Sequence, residues 1–140
     1  MEKEKNFDND KLIFDGEYLY GLKNGKGKEY KKGILRFEGE YLNDKRWNGK
    51  EKEYYDNDKL LYEGEIFNGK RWNGKGYNKE GKIELELNEG KGKGKVYDYK
   101  GILRFEGEYL NGLKNGKGKE YYKNDKLKFE GEYFNGKRNK

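Results

Sequence analysis

Apolar and polar positions alternate along this chain in a phrase that is copied several times. From Leu35 to Tyr41, the residues Leu35, Phe37, Gly39 and Tyr41 share one parity, while Arg36, Glu38 and Glu40 share the other. The same split recurs at Leu12, Phe14, Gly16 and Tyr18, and at Leu103, Phe105, Gly107 and Tyr109. Period-two alternation of this length predicts a half-buried strand and argues against a helix. A loop rich in Asn, Gly and Lys follows each such strand, as at Asn43 to Gly49. A second short strand comes next, as at Gly116 to Tyr122. Turns such as Lys31-Lys32-Gly33 or Tyr55 to Lys59 then lead into the next copy. The predicted path is strand, loop, strand, turn, repeated as an antiparallel meander.

The copies are close enough to count. Gly33 to Leu42 and Gly101 to Leu110 are identical, as are Gly21 to Tyr30 and Gly112 to Tyr121. The phrase aromatic-acid-Gly-Glu starts at Phe14, Phe37, Tyr62, Phe105 and Phe129, and a worn copy starts at Ile83, so the starts lie 21 to 25 residues apart. One copy alone buries too little apolar surface to offset the entropy of ordering it, so the copies must stack. Stacking predicts one ladder of Phe14, Phe37, Tyr62, Ile83, Phe105 and Phe129. It predicts a second of Tyr18, Tyr41, Ile66, Leu87, Tyr109 and Tyr133. The Gly inside each phrase allows a neighbouring ring to lie against the backbone. The expected fold is all-β: tandem β-hairpin repeats over residues 1–140 forming an elongated, twisted single antiparallel sheet, with partial units at both ends. Phe7 to Leu12 matches the turn Tyr55 to Leu60, and Asn135 to Asn139 stops short of a second strand. With no polar cap evident at either end, the array is expected to continue in a longer chain or to associate end to end.

The phrase aromatic-x-Gly-x-aromatic, then Asn-Gly-Lys, then Gly-x-Gly resembles the MORN repeat. Here Tyr62-Glu63-Gly64-Glu65, Asn68-Gly69-Lys70-Arg71 and Gly74-Lys75-Gly76-Tyr77 carry it, and the resemblance spans about Phe7 to Lys140. It implies hairpin repeats in an extended sheet and work as an interaction module: scaffolding, dimerisation, and contacts with phosphoinositide membranes. One departure stands out. Glu29 and Glu120 occupy the place where the family carries an aromatic, and Tyr30 and Tyr121 follow one residue later. That offset predicts a β-bulge. The turn from Glu53 to Leu60 is also similar to a bacterial variant of the repeat found in proteins described as antitoxins, which keeps an antitoxin-like inhibitor of a partner protein open as a second function.

Composition narrows the chemistry. The chain has no His, Cys, Pro, Ser, Thr, Ala or Gln. Ser, Thr and Cys nucleophiles, imidazole bases, disulfides and Cys or His metal sites are thereby excluded, and no enzymatic activity, cofactor or metal is expected. With 33 basic and 27 acidic residues the net charge is only +6, spread along the chain, which does not make a nucleic-acid arm. Gly69 to Lys75 fits a phosphate-binding loop until Gly76 takes the place of the hydroxyl residue, and no strand-to-helix junction accompanies it. Asp56-Asn57-Asp58 opens like a calcium loop, but Leu61 and Phe67 stand where a Gly and a closing carboxylate belong. No apolar run is long enough for a membrane span, and the N-terminus lacks a signal-peptide core. A cytoplasmic protein is expected, with attachment to a membrane periphery or the cytoskeleton left open.

Two surfaces are candidates. Arg46-Trp47 and Arg71-Trp72 occupy the same loop of consecutive copies, and Trp and Arg are enriched in binding hot spots. They form a candidate site for a protein partner; the alternative is that each Trp folds over the next copy, as Leu22 and Leu113 would in the shorter loops. Lys50, Lys75, Lys91, Lys93 and Lys95 form a candidate stripe for anionic lipid headgroups. The alternative there is cross-strand pairing with glutamates such as Glu38, Glu40, Glu63 and Glu65. A non-enzymatic scaffold for a protein partner is the leading expectation, and a peripheral binder of anionic membranes its alternative.

Overall fold

The computed structural model describes residues 1–139. Among them are thirteen β-strands and no helix. The first five are β1 (Glu2–Asp8), β2 (Lys11–Leu19), β3 (Leu22–Lys31), β4 (Ile34–Leu42) and β5 (Lys45–Tyr54). Then come β6 (Leu60–Phe67), β7 (Lys70–Tyr77), β8 (Ile83–Asn88) and β9 (Lys91–Tyr97). The last four are β10 (Leu103–Leu110), β11 (Leu113–Tyr121), β12 (Leu127–Phe134) and β13 (Lys137–Asn139). They form one antiparallel sheet in sequence order, as a meander of hairpins requires.

Turn chemistry sets the register. Asn43–Asp44, Asn68–Gly69, Asn111–Gly112 and Asn135–Gly136 hold positive φ at both turn positions, the conformation whose twist matches a two-residue hairpin. One expectation is corrected at the C-terminus. A second strand does form, over Lys137–Asn139: Arg138 pairs with Tyr133 and Lys137 with Phe134. The turn at Asn135–Gly136 is tight enough that three residues suffice.

The described residues divide into two compact units, Met1–Lys52 with Glu65–Gly69, and Glu53–Gly64 with Lys70 onward. In the first, Phe14, Phe37, Tyr41 and Ile66 form the buried cluster, with Tyr18 packed against it. Gly16 pairs with Gly27, and Gly27 with Gly39, and the Phe14 ring folds over this bare backbone. A Cβ at Gly27 would lie 2.8 Å from the Phe14 ring and 3.0 Å from that of Tyr41, so only glycine fits. The rings meet edge to face at 5.4 Å for Phe14 and Tyr18, 5.3 Å for Phe14 and Tyr41, and 5.2 Å for Phe37 and Tyr41. Tyr41 therefore clasps the Phe of its own strand and that of the preceding copy.

In the second unit Phe105, Tyr109, Phe129 and Tyr133 repeat this clasp, with centroids 5.5 to 5.6 Å apart. Its buried cluster is Tyr55, Leu61, Tyr62, Leu85 and Leu87. The worn copy departs from the expected ladder here. Ile83 is 47% exposed, whereas Leu85, at the glycine position opposite Gly76 and Gly94, is 3% exposed. With no ring to fold over the glycine, a side chain growing from the glycine position fills the same space.

The expected bulges are present. Register shifts between Glu29 and Tyr30 and between Glu120 and Tyr121. The shift leaves Glu29 opposite Phe37 and Glu120 opposite Phe129, on the ring face of the sheet.

Candidate interaction surface

On the ring face, one cation per regular copy is laid over an aromatic ring. Lys23 Nζ sits 4.5 Å above Phe14, the Arg46 guanidinium 5.3 Å from Phe37, and the Arg71 guanidinium 3.8 Å from Tyr62. Lys114 and Arg138 do the same over Phe105 at 4.3 Å and Phe129 at 4.8 Å. These cations stand two residues past the two-residue turns, and Lys23, Arg46, Lys114 and Arg138 pair there with the Tyr of the first strand, which brings them across the Phe.

The displaced glutamates complete the device. Arg46 bonds Glu29 at 2.6 and 3.2 Å and Glu51 at 2.6 Å, and the Tyr41 hydroxyl donates to Glu29 at 2.8 Å. Arg138 bonds Glu120 at 2.9 Å, and Tyr133 donates to the same carboxylate. Burial works to raise the Glu29 pKa, but the Arg46 guanidinium and the Tyr41 hydroxyl outweigh it and hold the group below the usual carboxylate range. Hydrogen bonds from Arg138, helped by Tyr133, draw Glu120 down to about 2 against the opposing effect of burial. Tyr133 is pushed up to about 12 by burial and by Glu120. Each Glu thus links its own copy to the Tyr and Arg of the next.

Loops are tied as regularly. Gly69 N–H donates to the Trp47 carbonyl at 2.9 Å, Gly90 N–H to the Trp72 carbonyl at 2.7 Å, and Gly136 N–H to the Lys114 carbonyl at 2.8 Å. The Asn of each Asn-Gly pair adds a second tie. Asn48 Oδ1 accepts from Asn68 N–H at 3.0 Å and Asn73 Oδ1 from Glu89 N–H at 2.8 Å. Trp47 and Trp72 are half-buried. A Cβ at Gly69 would lie 3.0 Å from the Trp47 ring, and one at Gly90 2.7 Å from the Trp72 ring. Each Trp therefore lies on the turn of the next copy, and Leu113 does so on Gly136. Trp47 and Arg46 belong to the first unit, Trp72 and Arg71 to the second.

The opposite face is charged in stripes that follow the strands. In the first unit, Lys3 and Lys5 of β1 pair with Glu17 and Asp15 of β2, and Lys26 and Lys28 of β3 pair with Glu40 and Glu38 of β4. Lys50 of β5 faces Glu38. In the second unit Lys75 faces Glu86, Lys93 faces Glu86 and Glu108, and Lys95 faces Glu106 and approaches Glu84 to 3.8 Å. Lys91 is exposed opposite Asn88. Every first strand is acidic and every second strand basic, so the lysines alternate with carboxylates strand by strand. Between the charged rows the floor is glycine backbone; in the first unit this groove encloses about 750 Å³ above Gly16, Gly27 and Gly39.

The MORN repeat family model matches residues 14–33, 105–126 and 129–139. The chain carries MORN repeats at these three segments. No curated protein and no solved structure matches it significantly. MORN repeats are generally associated with modules that interact with proteins or membranes. The matched segments include the two bulged copies but not the Trp-bearing loops or the worn copy.

One feature repeated within each unit went unrecognised in the sequence. The residue closing each first strand lies on the charged face and is apolar: Leu19 is 39% exposed, Leu42 42%, Phe67 48%, Leu110 44% and Phe134 66%. Only Asn88, in the worn copy, breaks the series. Its signal was the parity shared with the two glutamates before it, a position where an apolar residue faces solvent.

Proposed function

We propose that this MORN array is a non-enzymatic scaffold that docks another protein on its charge-striped face. The alternation of acidic and basic strands carries this reading. A polyanion or an anionic membrane selects a field of one sign, whereas alternating stripes select a partner that presents both. The interleaving of Lys50, Lys75, Lys93 and Lys95 with glutamates supports a protein partner over a lipid surface. The lack of Ser, Thr, Cys and His supports a role without catalysis.

The test is affinity capture with the whole chain, scored by mass spectrometry, beside cosedimentation with phosphatidylserine and phosphoinositide vesicles at physiological salt. A protein retained by the native chain, and released when Lys26→Glu and Lys28→Glu reverse one basic strand, is the expected result. Vesicle pelleting without any retained protein would overturn the reading.

A further inference from the structure

The apolar row of the first unit identifies the kind of partner, and this deepening rests on the scaffold reading. Leu19, Leu42 and Phe67 end β2, β4 and β6, each on the face of the glutamates, and Leu22 pairs with Leu19 at 38% exposure. Strands lie roughly 4.8 Å apart, so the three residues recur at about 9.6 Å along a line crossing the strands. One heptad of an α-helix advances roughly 10.5 Å. A helix laid across the strands therefore meets one of the three with each heptad, with a mismatch of about 1 Å per step that side chains absorb. Beside this row Glu17, Lys26 and Glu40 follow one another on consecutive strands. Their spacing of roughly 4.8 Å matches the i to i+3 or i+4 step on a helix surface, roughly 4.5–6 Å.

We infer that the loop edge of the first unit is a cradle for an amphipathic α-helix. Its occupant carries an apolar residue once per heptad and, along one flank, Lys, Glu and Lys at three- or four-residue steps to oppose Glu17, Lys26 and Glu40. Two other occupants fit less well. In a second copy of the chain the apolar row lies on the acidic strands, so laying Leu on Leu sets Glu on Glu. An anionic membrane pressed onto the row meets the glutamates beside it.

The probe is a fluorescein-labelled synthetic peptide of about three heptads with this pattern, and its control has the same composition with the Leu spacing scrambled. Fluorescence anisotropy against the whole chain is expected to show saturable binding of the patterned peptide alone. Leu42→Asn, which installs the residue found at the same place in the worn copy, should weaken it about tenfold. Leu127→Asn, at a residue 49% exposed outside the row, should leave it unchanged, and circular dichroism should be native for both. The inference is overturned by no binding, by equal binding of the scrambled peptide, or by indifference to Leu42→Asn. It is equally overturned if sedimentation shows a dimer of the chain that Leu42→Asn dissociates. Should the peptide fail while the affinity experiment still retains a protein, the cradle is wrong and the scaffold stands; should nothing be retained, the scaffold reading itself fails.

Discussion

The second and fourth copies solve one packing problem with different residues. In the second, Phe37 is fully buried, its ring lies against Gly49, and Arg46 covers the ring. In the fourth, Ile83 stands where Phe37 would, Leu85 replaces the glycine, and Gly92 takes the place of the cation, opposite Leu87 as Arg46 is opposite Tyr41. All three changes belong together. A ring folded back over the sheet needs a bare backbone beneath it and offers its face to a cation. Once the ring is gone, the glycine position is free to grow a side chain and the cation has no ring to cover. The lesson is that ring, glycine and cation are one device, lost or kept as a set, while the filled volume stays.

The largest effect expected from breaking this comparison is Phe37→Ala, which empties the space above the glycines and should cost about 3–5 kcal/mol in urea denaturation. Leu85→Gly should cost a similar amount by opening the equivalent space in the fourth copy, on the order of 3–5 kcal/mol. Adding Ile83→Phe should then recover much of that loss, since a ring can fold over the restored glycine. If the double variant is no more stable than Leu85→Gly alone, the two solutions are not interchangeable.

Next in size comes the acid dependence set by Glu29 and Glu120, whose place in the fourth copy is taken by Val96. Glu120 has its folded pKa near 2, below the ordinary 4.5. A carboxyl depressed on folding contributes stability above its unfolded pKa and loses it as pH falls through the folded one. Thermal melting should therefore drop between about pH 4.5 and 2, with Glu29, shifted the same way, adding to the fall. Glu120→Gln should flatten part of that drop and cost about 1–2 kcal/mol at neutral pH, discounted for partial exposure. A melting profile of the variant that superimposes on the native one would remove the linkage. The smallest effect is Asn48→Ala, which removes one tie between loops. It should cost about 1 kcal/mol and speed hydrogen exchange at Asn68.

Much of the fold was legible because a repeated sequence reveals its own register. The parity of Phe14, Gly16 and Tyr18 placed the rings and glycines on one face, and the offset of Glu29 and Tyr30 announced a bulge. The purpose of that bulge was not legible. Glu29 meets Arg46 from seventeen positions away, and the pairing depends on how the next copy lies against it. Ile83 was misplaced for a related reason: parity marks a residue's face but not which of two neighbours on that face fills a space. The candidate surfaces divide in the same way. Pairing of Lys50 and Lys93 with glutamates could be read strand by strand, whereas the apolar row of Leu19, Leu42 and Phe67 emerged only when its exposure was known.

The sequence by itself determined the all-β class, the hairpin repeat, the turn positions and the face each residue occupies, because local alternation and turn chemistry act within a few residues. Tertiary structure decided which glutamate meets which arginine, which aliphatic residue replaces a ring, and which apolar residues remain in solvent. Those outcomes depend on close approach between copies some twenty residues apart, where a shift of one residue in register reassigns every partner.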